Sequence, residues 1–551
     1  MNLKFTRSAN LLRNELAAIL GMLLLMGIVV LLHIQLHQYS YDDAYIHFRV
    51  ARNLVDFGVP YYNPLEILKV STSSGWVIFL ALIYWLAKAI HLVGHFALII
   101  SIINALITIG VVFIYTRIVE IFLQRQLTLP QKLLFQTTIL ALLLLPSIGL
   151  METSLALLLA GAGIFLLLKT KSVGFLLLAM SLYFRMELIL LASLLCALAI
   201  FRGEFKLQKT ILWFTAGILP FIIFDLYFFR TIIPQSVLAK SVVYSITPFQ
   251  TFIEVLNRSL PGFPAANFPK LIVRATFLLL PIVVLSWVTI REKDLIKRSY
   301  YPAALGVSAL LVLASYVGKH VLLFEWYTPL YMLPLVTSLF SYAYLVPPPR
   351  NFVLKIPLFT LFLFSGFFLV SSMHAIHSRP DDFVLFESGA RVKMYLYVGD
   401  ILNQEYPEAN LLTSEIGGLG YSFKGKILDG AGLASRDALT FHPMAIPVQR
   451  SSGTSGAIPY EFVIASEPDI IVSYDIFAEE LLSKDVSAEY HLITLPAYLP
   501  EDIQYSKNGF LWGSKFLRVY MHKSLPLSAN LCKFALATSQ TLNPACKKYV
   551  Q

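Results

Sequence analysis

"LAAILGMLLLMGIVVLLHIQLHQYSYDDAYIHFRVARNLVDFG", residues 16–58, decides how this chain is read. Its first half is an apolar run of about 20 residues, long enough to cross a bilayer, and no small-x-small cleavage site follows it. Its second half sets two adjacent carboxylates, a histidine and two arginines directly after that run. Lys4, Arg7 and Arg13 precede it, so the positive-inside bias places the N-terminus in the cytoplasm and Asp42–Asp43 on the far side. The run reads as an uncleaved first transmembrane helix. From Ala44 onward, Ile46, Val50, Leu54 and Phe57 recur at near-helical spacing among Arg49, Arg52, Asn53 and Asp56, which predicts an amphipathic helix on the outer surface. The acidic pair falls at its N-terminus, where the helix dipole favours negative charge, so one aspartate is expected to cap and the other to do chemistry.

The rest of the chain has the same character. Of 551 residues, 57% are hydrophobic and only 14% charged, against nearer a quarter in soluble proteins. Mean hydropathy is +0.70. This is the composition of a polytopic α-helical membrane protein. The net charge of +10 does not indicate a nucleic-acid partner, because the basic residues sit in short segments between apolar runs. Those segments are 117–132, 169–171, 202–209, 291–298 and 350–355. With all of them cytoplasmic, alternation gives about 11 spans. A crossing at 75–93 would break the alternation, so that stretch is expected to be juxtamembrane or re-entrant within a first outer loop, 36–95. Lys88, His91 and His95 suit such an interfacial position.

From about residue 375, charged and turn residues return. Strand-like runs ("FVIASEPDIIVS", "KFLRVYMH") alternate with a helical one ("FAEELLSK"). The expected division is therefore a membrane domain, 1–374, and an extracytoplasmic α/β or α+β domain, 375–551. Cys196 lies in an apolar run. Cys532 and Cys546, 14 positions apart in the polar region, are either a disulfide closing a small loop or two unrelated thiols.

The outward-facing segments carry Asp42, Asp43, Glu66, Lys69, Glu152, Arg185, Glu187, Lys240, His320, Glu325 and Tyr327. Ionisable residues at membrane depth usually line a cavity or pathway. Against that stands the plainer reading of solvated carboxylates at helix ends and interfacial aromatic anchors such as Trp326 and Tyr327.

"DDAYIHFRVARNLVDFGVPYYNP" (42–64) resembles the first outer loop of the GT-C superfamily of polyprenyl-phosphate-sugar-dependent glycosyltransferases. It looks closest to the branch holding bacterial arabinofuranosyltransferases and mannosyltransferase-like proteins. The likeness continues in order through "STSSGWVIFLAL", "GLMETSLALLL", "YFRMELILL", "TIIPQSVLAK", "FEWYTPLYMLP" and "EIGGLGYSFKGKILDGAGL". Lys69–Val70 stands where that pattern has Glu-Gly, and Met186 replaces the proline of Arg-Pro-Glu. The resemblance implies an inverting enzyme of the bacterial plasma membrane. It would move one sugar from a polyprenyl-phosphate donor to an envelope glycan, lipid or protein on the outer face.

Such a reaction needs a base for the attacking hydroxyl and a cation for the departing phosphate. The resemblance places the base at Asp42, with Asp43 orienting it or capping the helix. Lys240 is the leading cation and Arg185 the second. Glu152, Glu187, Arg49, Lys69, His320 and Tyr327 are assigned to substrate. Asp42, Asp43 and Glu152 are the oxygen ligands available to a divalent ion, though no compact metal motif appears and the metal stays unassigned. Tyr421, Phe423, Tyr460 and Trp512 are either acceptor-glycan contacts or core. The rival reading is a lipid-linked-sugar flippase or transporter, which would carry charges within its spans and often broken helices in symmetric halves.

Overall fold

The computed structural model describes residues 20–547 apart from 22, 244–245, 260–278, 280–281, 284–299, 348–350, 378, 445–456, 485, 506–510, 512–513 and 539–545. The expectations placed on Lys4, Arg7, Arg13, the 291–298 segment, Arg350 and Trp512 lie outside the described residues.

The chain is mostly helical. Among the described residues, five helices are long and apolar enough to cross a membrane. They are α4 (Phe96–Leu123), α5 (Leu129–Ile148), α9 (Leu207–Phe229), α12 (Tyr300–Gly318) and α14 (Asn351–His377). Shorter apolar helices pack among them: α1 (Leu23–Leu36), α3 (Ser74–Ala89), α6 (Thr153–Leu168), α7 (Gly174–Ser181), α8 (Ile189–Phe201) and α13 (Thr328–Leu345). Local chemistry sets their ends. Thr128 and Gln131 form a reciprocal capping box ahead of α5, with Pro130 in its first turn, and Thr247 and Gln250 do the same for α11 (Pro248–Arg258).

After α1 comes α2 (Asp42–Phe57), which ends at Gly58 in a left-handed conformation of φ 73°. Neither aspartate caps it. The N-cap is Tyr41, in extended backbone, and both carboxylates belong to the first helical turn. Helix α3 is tied to α2 by the Lys88–Asp56 ion pair (2.6 Å), and Phe96 at the start of α4 packs edge-on against both Tyr84 of α3 and Phe48 of α2. Its sixteen residues fall below span length. Lys69 is buried against Asp225, near the end of α9, and also donates to the Ile232 carbonyl (2.9 Å). Ser74 donates to the other Asp225 oxygen (2.5 Å).

From Pro380 onward the chain forms a mixed five-stranded sheet with flanking helices. Its strands are β1 (Leu411–Thr413), β2 (Ile427–Asp429), β3 (Ile470–Tyr474), β4 (Tyr490–Pro496) and β5 (Phe516–His522), in the order β2-β1-β3-β5-β4. β1 runs parallel to β2 and β3, while β5 is antiparallel to β3 and β4. The run "FVIASEPDIIVS" is not one strand. Residues Tyr460–Ser466 are helical, and Glu467 at φ 41° turns the chain into β3. Cys532 and Cys546 are joined by a disulfide.

The sheet domain is clamped onto α2 and the residues just after it. Arg49, buried on α2, donates to the carbonyls of Tyr62 (2.8 Å), Gly420, Phe423 (2.5 Å) and Gly425 (2.8 Å), and its guanidinium lies 4.6 Å from the Tyr62 ring centroid. Arg52 donates to the Tyr421 carbonyl (2.7 Å), and Asn63 exchanges two hydrogen bonds with the Ile427 backbone (2.9 and 3.1 Å). A Cβ on Gly417 would overlap the Asp42 carbonyl, and one on Gly389 would overlap Tyr39, so glycine permits both close approaches.

Candidate active site

The turns at one end of the bundle converge on α2. The Asp42 side chain points away from this convergence, into the sheet domain. Its two oxygens accept from the Gly417 and Gly418 amides, each at 2.8 Å, and the residue is only 8% exposed. Burial pushes its carboxyl pKa up, opposed by Arg391 and those two amides. Successive helical residues point about 100° apart. Asp43 therefore faces elsewhere, toward Lys240 on α10 (Gln235–Val243), with Oδ2 and Nζ 3.6 Å apart. Their side chains are 34% and 24% exposed. Of the two aspartates, Asp42 is the buried one held by backbone amides, and Asp43 is the one that stands beside a cation.

One turn beyond Asp43 on the same face stands His47. Its Nδ1 is 2.8 Å from Ser71 Oγ and its Nε2 is 4.0 Å from Glu152. Burial lowers its pKa, while Glu152 and Asp43 act in the opposite sense and Arg185 and Lys240 add to the lowering. Glu152, just before α6, is buried and sits 3.0 Å from Arg185, which in turn lies 3.9 Å from Glu187. Arg185 stands over the Tyr327 ring, 5.0 Å from its centroid.

Residues 324–327 tie these elements together. Phe324 carries Lys240 over its ring (5.1 Å) and stacks on Trp326 (4.7 Å). Glu325 pairs with Arg258 at the end of α11, which Glu254 also contacts at 3.2 Å. Trp326 packs edge-on against Tyr41 and accepts, through its carbonyl, a hydrogen bond from Thr153 (2.9 Å). The contacts form a chain from Asp43 through Lys240, Phe324, Trp326, Tyr327, Arg185 and Glu152 to His47, which lies one helical turn from Asp43.

Of the residues singled out from sequence, this chain of contacts brings together Asp43, Lys240, Glu152, Arg185 and Tyr327, with Glu187 beside Arg185. Arg49 and Lys69 are instead buried clamps, committed to backbone carbonyls and to Asp225. His320 is exposed on the turn after α12, at φ 54°, with its amide bonded to the Val317 carbonyl. Phe423 is fully buried in the core, and Tyr421 packs against Tyr45 and Phe48. The metal set of Asp42, Asp43 and Glu152 does not hold together, because Asp42 turns to the glycine amides. Among the described residues, no three histidine, cysteine or acidic side chains group as a metal site. His47, Phe324 and Arg258 were not assigned from sequence. The four-residue spacing of His47 from Asp43 on a helix was the available signal for the first.

Behind Asp42 lies a second buried group, in which Arg391 pairs with Glu415 at 3.0 Å. Burial pushes the Glu415 carboxyl up from 4.5 to about 7, with Arg391 opposing. A carboxyl raised on folding contributes stability that is complete below about pH 4.5 and lost as pH rises through about 7. The melting temperature of the purified protein should therefore decline between about pH 5 and pH 8, and Glu415→Gln should flatten that decline. A wild-type melting temperature independent of pH across that window would contradict the burial of this carboxyl.

No protein-family model and no curated protein matches this chain.

Proposed function

We propose that the protein is an inverting glycosyltransferase that moves one sugar from a polyprenyl-phosphate donor to a cell-envelope acceptor. The reaction runs at the outer face of a bacterial plasma membrane. Asp43 is the base and Lys240 receives the phosphate. The observation that supports this reading most is the Asp43–Lys240 pair, a partly exposed carboxylate and ammonium 3.6 Å apart where a helical bundle meets a polar domain. A base for a hydroxyl and a cation for a phosphate are the two charges this transfer needs, side by side. The ordered motif likeness along the chain supports it too. The Cys532–Cys546 disulfide suits a C-terminal domain in an oxidising, extracytoplasmic compartment.

The acceptor hydroxyl gives its proton to Asp43 as its oxygen bonds to the anomeric carbon from the face opposite the phosphate. The bond from that carbon to the phosphate oxygen breaks, and its electron pair leaves with the polyprenyl phosphate. Lys240 neutralises the second negative charge that appears there. Arg185, held between Glu152 and Glu187, backs the site from below rather than presenting an uncompensated charge.

Reconstitution of the full chain in liposomes with radiolabelled polyprenyl-phosphate sugar and an envelope extract tests this. Label should move to the acceptor and unglycosylated polyprenyl phosphate should accumulate. A donor that only changes leaflet would mean a flippase. Lys240→Ala should raise the donor KM by ~10–100-fold, the worth of a charge-assisted hydrogen bond, with Lys240→Arg in between.

A further inference from the structure

Helix α10 turns large apolar side chains outward. Val237 and Leu238 are each 48% exposed, beside an exposed Ser241, while Gln235, Ser236, Ala239 and Val243 are buried against the protein. A helix at a water-facing surface keeps its large apolar residues inward. The inward side is well tied: the Gln235 amide donates to the Lys69 carbonyl (2.7 Å) and its side chain to the Gly432 carbonyl (3.3 Å). The outward apolar surface does not stop at the helix. Ile232 and Ile233 precede it, both exposed, and the surface continues back along the span α9 through Tyr227, Leu226, Ile223 and Leu219. Continuity with the bare flank of a span identifies the occupant as lipid, because the flank of a membrane helix is covered by acyl chains.

We infer that the 232–238 segment is immersed in the outer-leaflet interface, so that Lys240 sits at headgroup depth and meets a lipid phosphate arriving laterally from the bilayer. Lys240 follows Leu238 by two residues, on the border between the exposed and buried sides, which is where an ammonium borne by an interfacial helix reaches the phosphate layer. The depth of the segment stands on its surface alone. The lateral arrival of the donor rests on the function proposed above.

The two parts are tested separately in the full-length protein. Leu238→Cys in a Cys196→Ser background, labelled with an environment-sensitive fluorophore in phosphatidylglycerol–phosphatidylcholine liposomes, reports the depth. Shallow nitroxide-labelled lipid should quench it at least twofold more than it quenches a label at Lys484→Cys, which is exposed in the sheet domain, and aqueous iodide should quench it at least twofold less. Full quenching by iodide overturns the placement. Protection from both quenchers, with label-to-label transfer between molecules, overturns it in favour of a second copy of the chain. For the donor, Ile233→Gln/Leu238→Gln should lower turnover of a long-chain polyprenyl-phosphate sugar at least tenfold and change that of a water-soluble short-chain analogue less than twofold. Equal loss with both donors overturns lateral arrival. Turnover of neither donor by the wild-type protein overturns the proposed function and lateral arrival together, while the quenching result still decides the depth.

Discussion

Asp43→Asn is expected to reduce sugar transfer about a thousandfold, within the usual worth of a positioned general base, while leaving the melting temperature within about a degree of wild type. The substitution keeps the size of the side chain and removes only its ability to take a proton. Asp43 is a third exposed and its partner Lys240 a quarter exposed, so the surrounding packing has little reason to change. Donor affinity should be unchanged or slightly increased, because Lys240 loses a competing carboxylate. Asp42→Asn should behave differently. The amide nitrogen cannot accept from Gly417 or Gly418, so the main effect falls on stability, with activity following it down. If instead Asp42→Asn abolished transfer with the fold intact and Asp43→Asn kept wild-type turnover, the roles drawn here would be reversed.

Arg49→Met carries the largest expected cost in stability, on the order of 3–5 kcal/mol. It would remove the donor shared by four carbonyls, those of Tyr62, Gly420, Phe423 and Gly425, at a seam where the arginine is 1% exposed. The seam joins α2 to the sheet domain, so limited proteolysis should release residues beyond about 380 from the variant sooner than from wild type. A donor-binding arginine would give another result, a raised KM with an unaltered melting temperature. Thermal melts and initial rates on the same preparation distinguish the two.

Much of the architecture was legible in the sequence because it depends on local composition. The apolar runs, the helix at 44–57 and the return of polar residues near 375 are all written within short windows. That helix is not the surface element expected: it is buried on all sides from Ala44 to Asn53 because the sheet domain closes on its polar side. The strand at 516–522 and the helix at 479–483 were legible for the same reason. The helix at 460–466 was not, because its apolar residues adjoin β3 and the break depends on Glu467 adopting a positive φ. The candidate site was legible as an inventory and not as an arrangement. Asp42 and Asp43 are indistinguishable in sequence, and what separates them is a glycine pair some 375 positions away. Arg49 and Lys69 look like ligand contacts until Gly420 and Asp225 come into place around them. Asp225 carried a signal that was passed over, an acid near the end of a long apolar helix, and such a residue calls for a partner.

The contact between Asp42 and the Gly417–Gly418 amides also imposes an order in time. A chain made from its N-terminus threads its first helices into the bilayer long before residues 417 and 418 leave the ribosome. During that interval the Asp42 carboxylate lacks the two amides that hold it in the finished fold. The first turn of α2 is therefore fixed last, when the sheet domain has folded against it, although it lies among the first residues made.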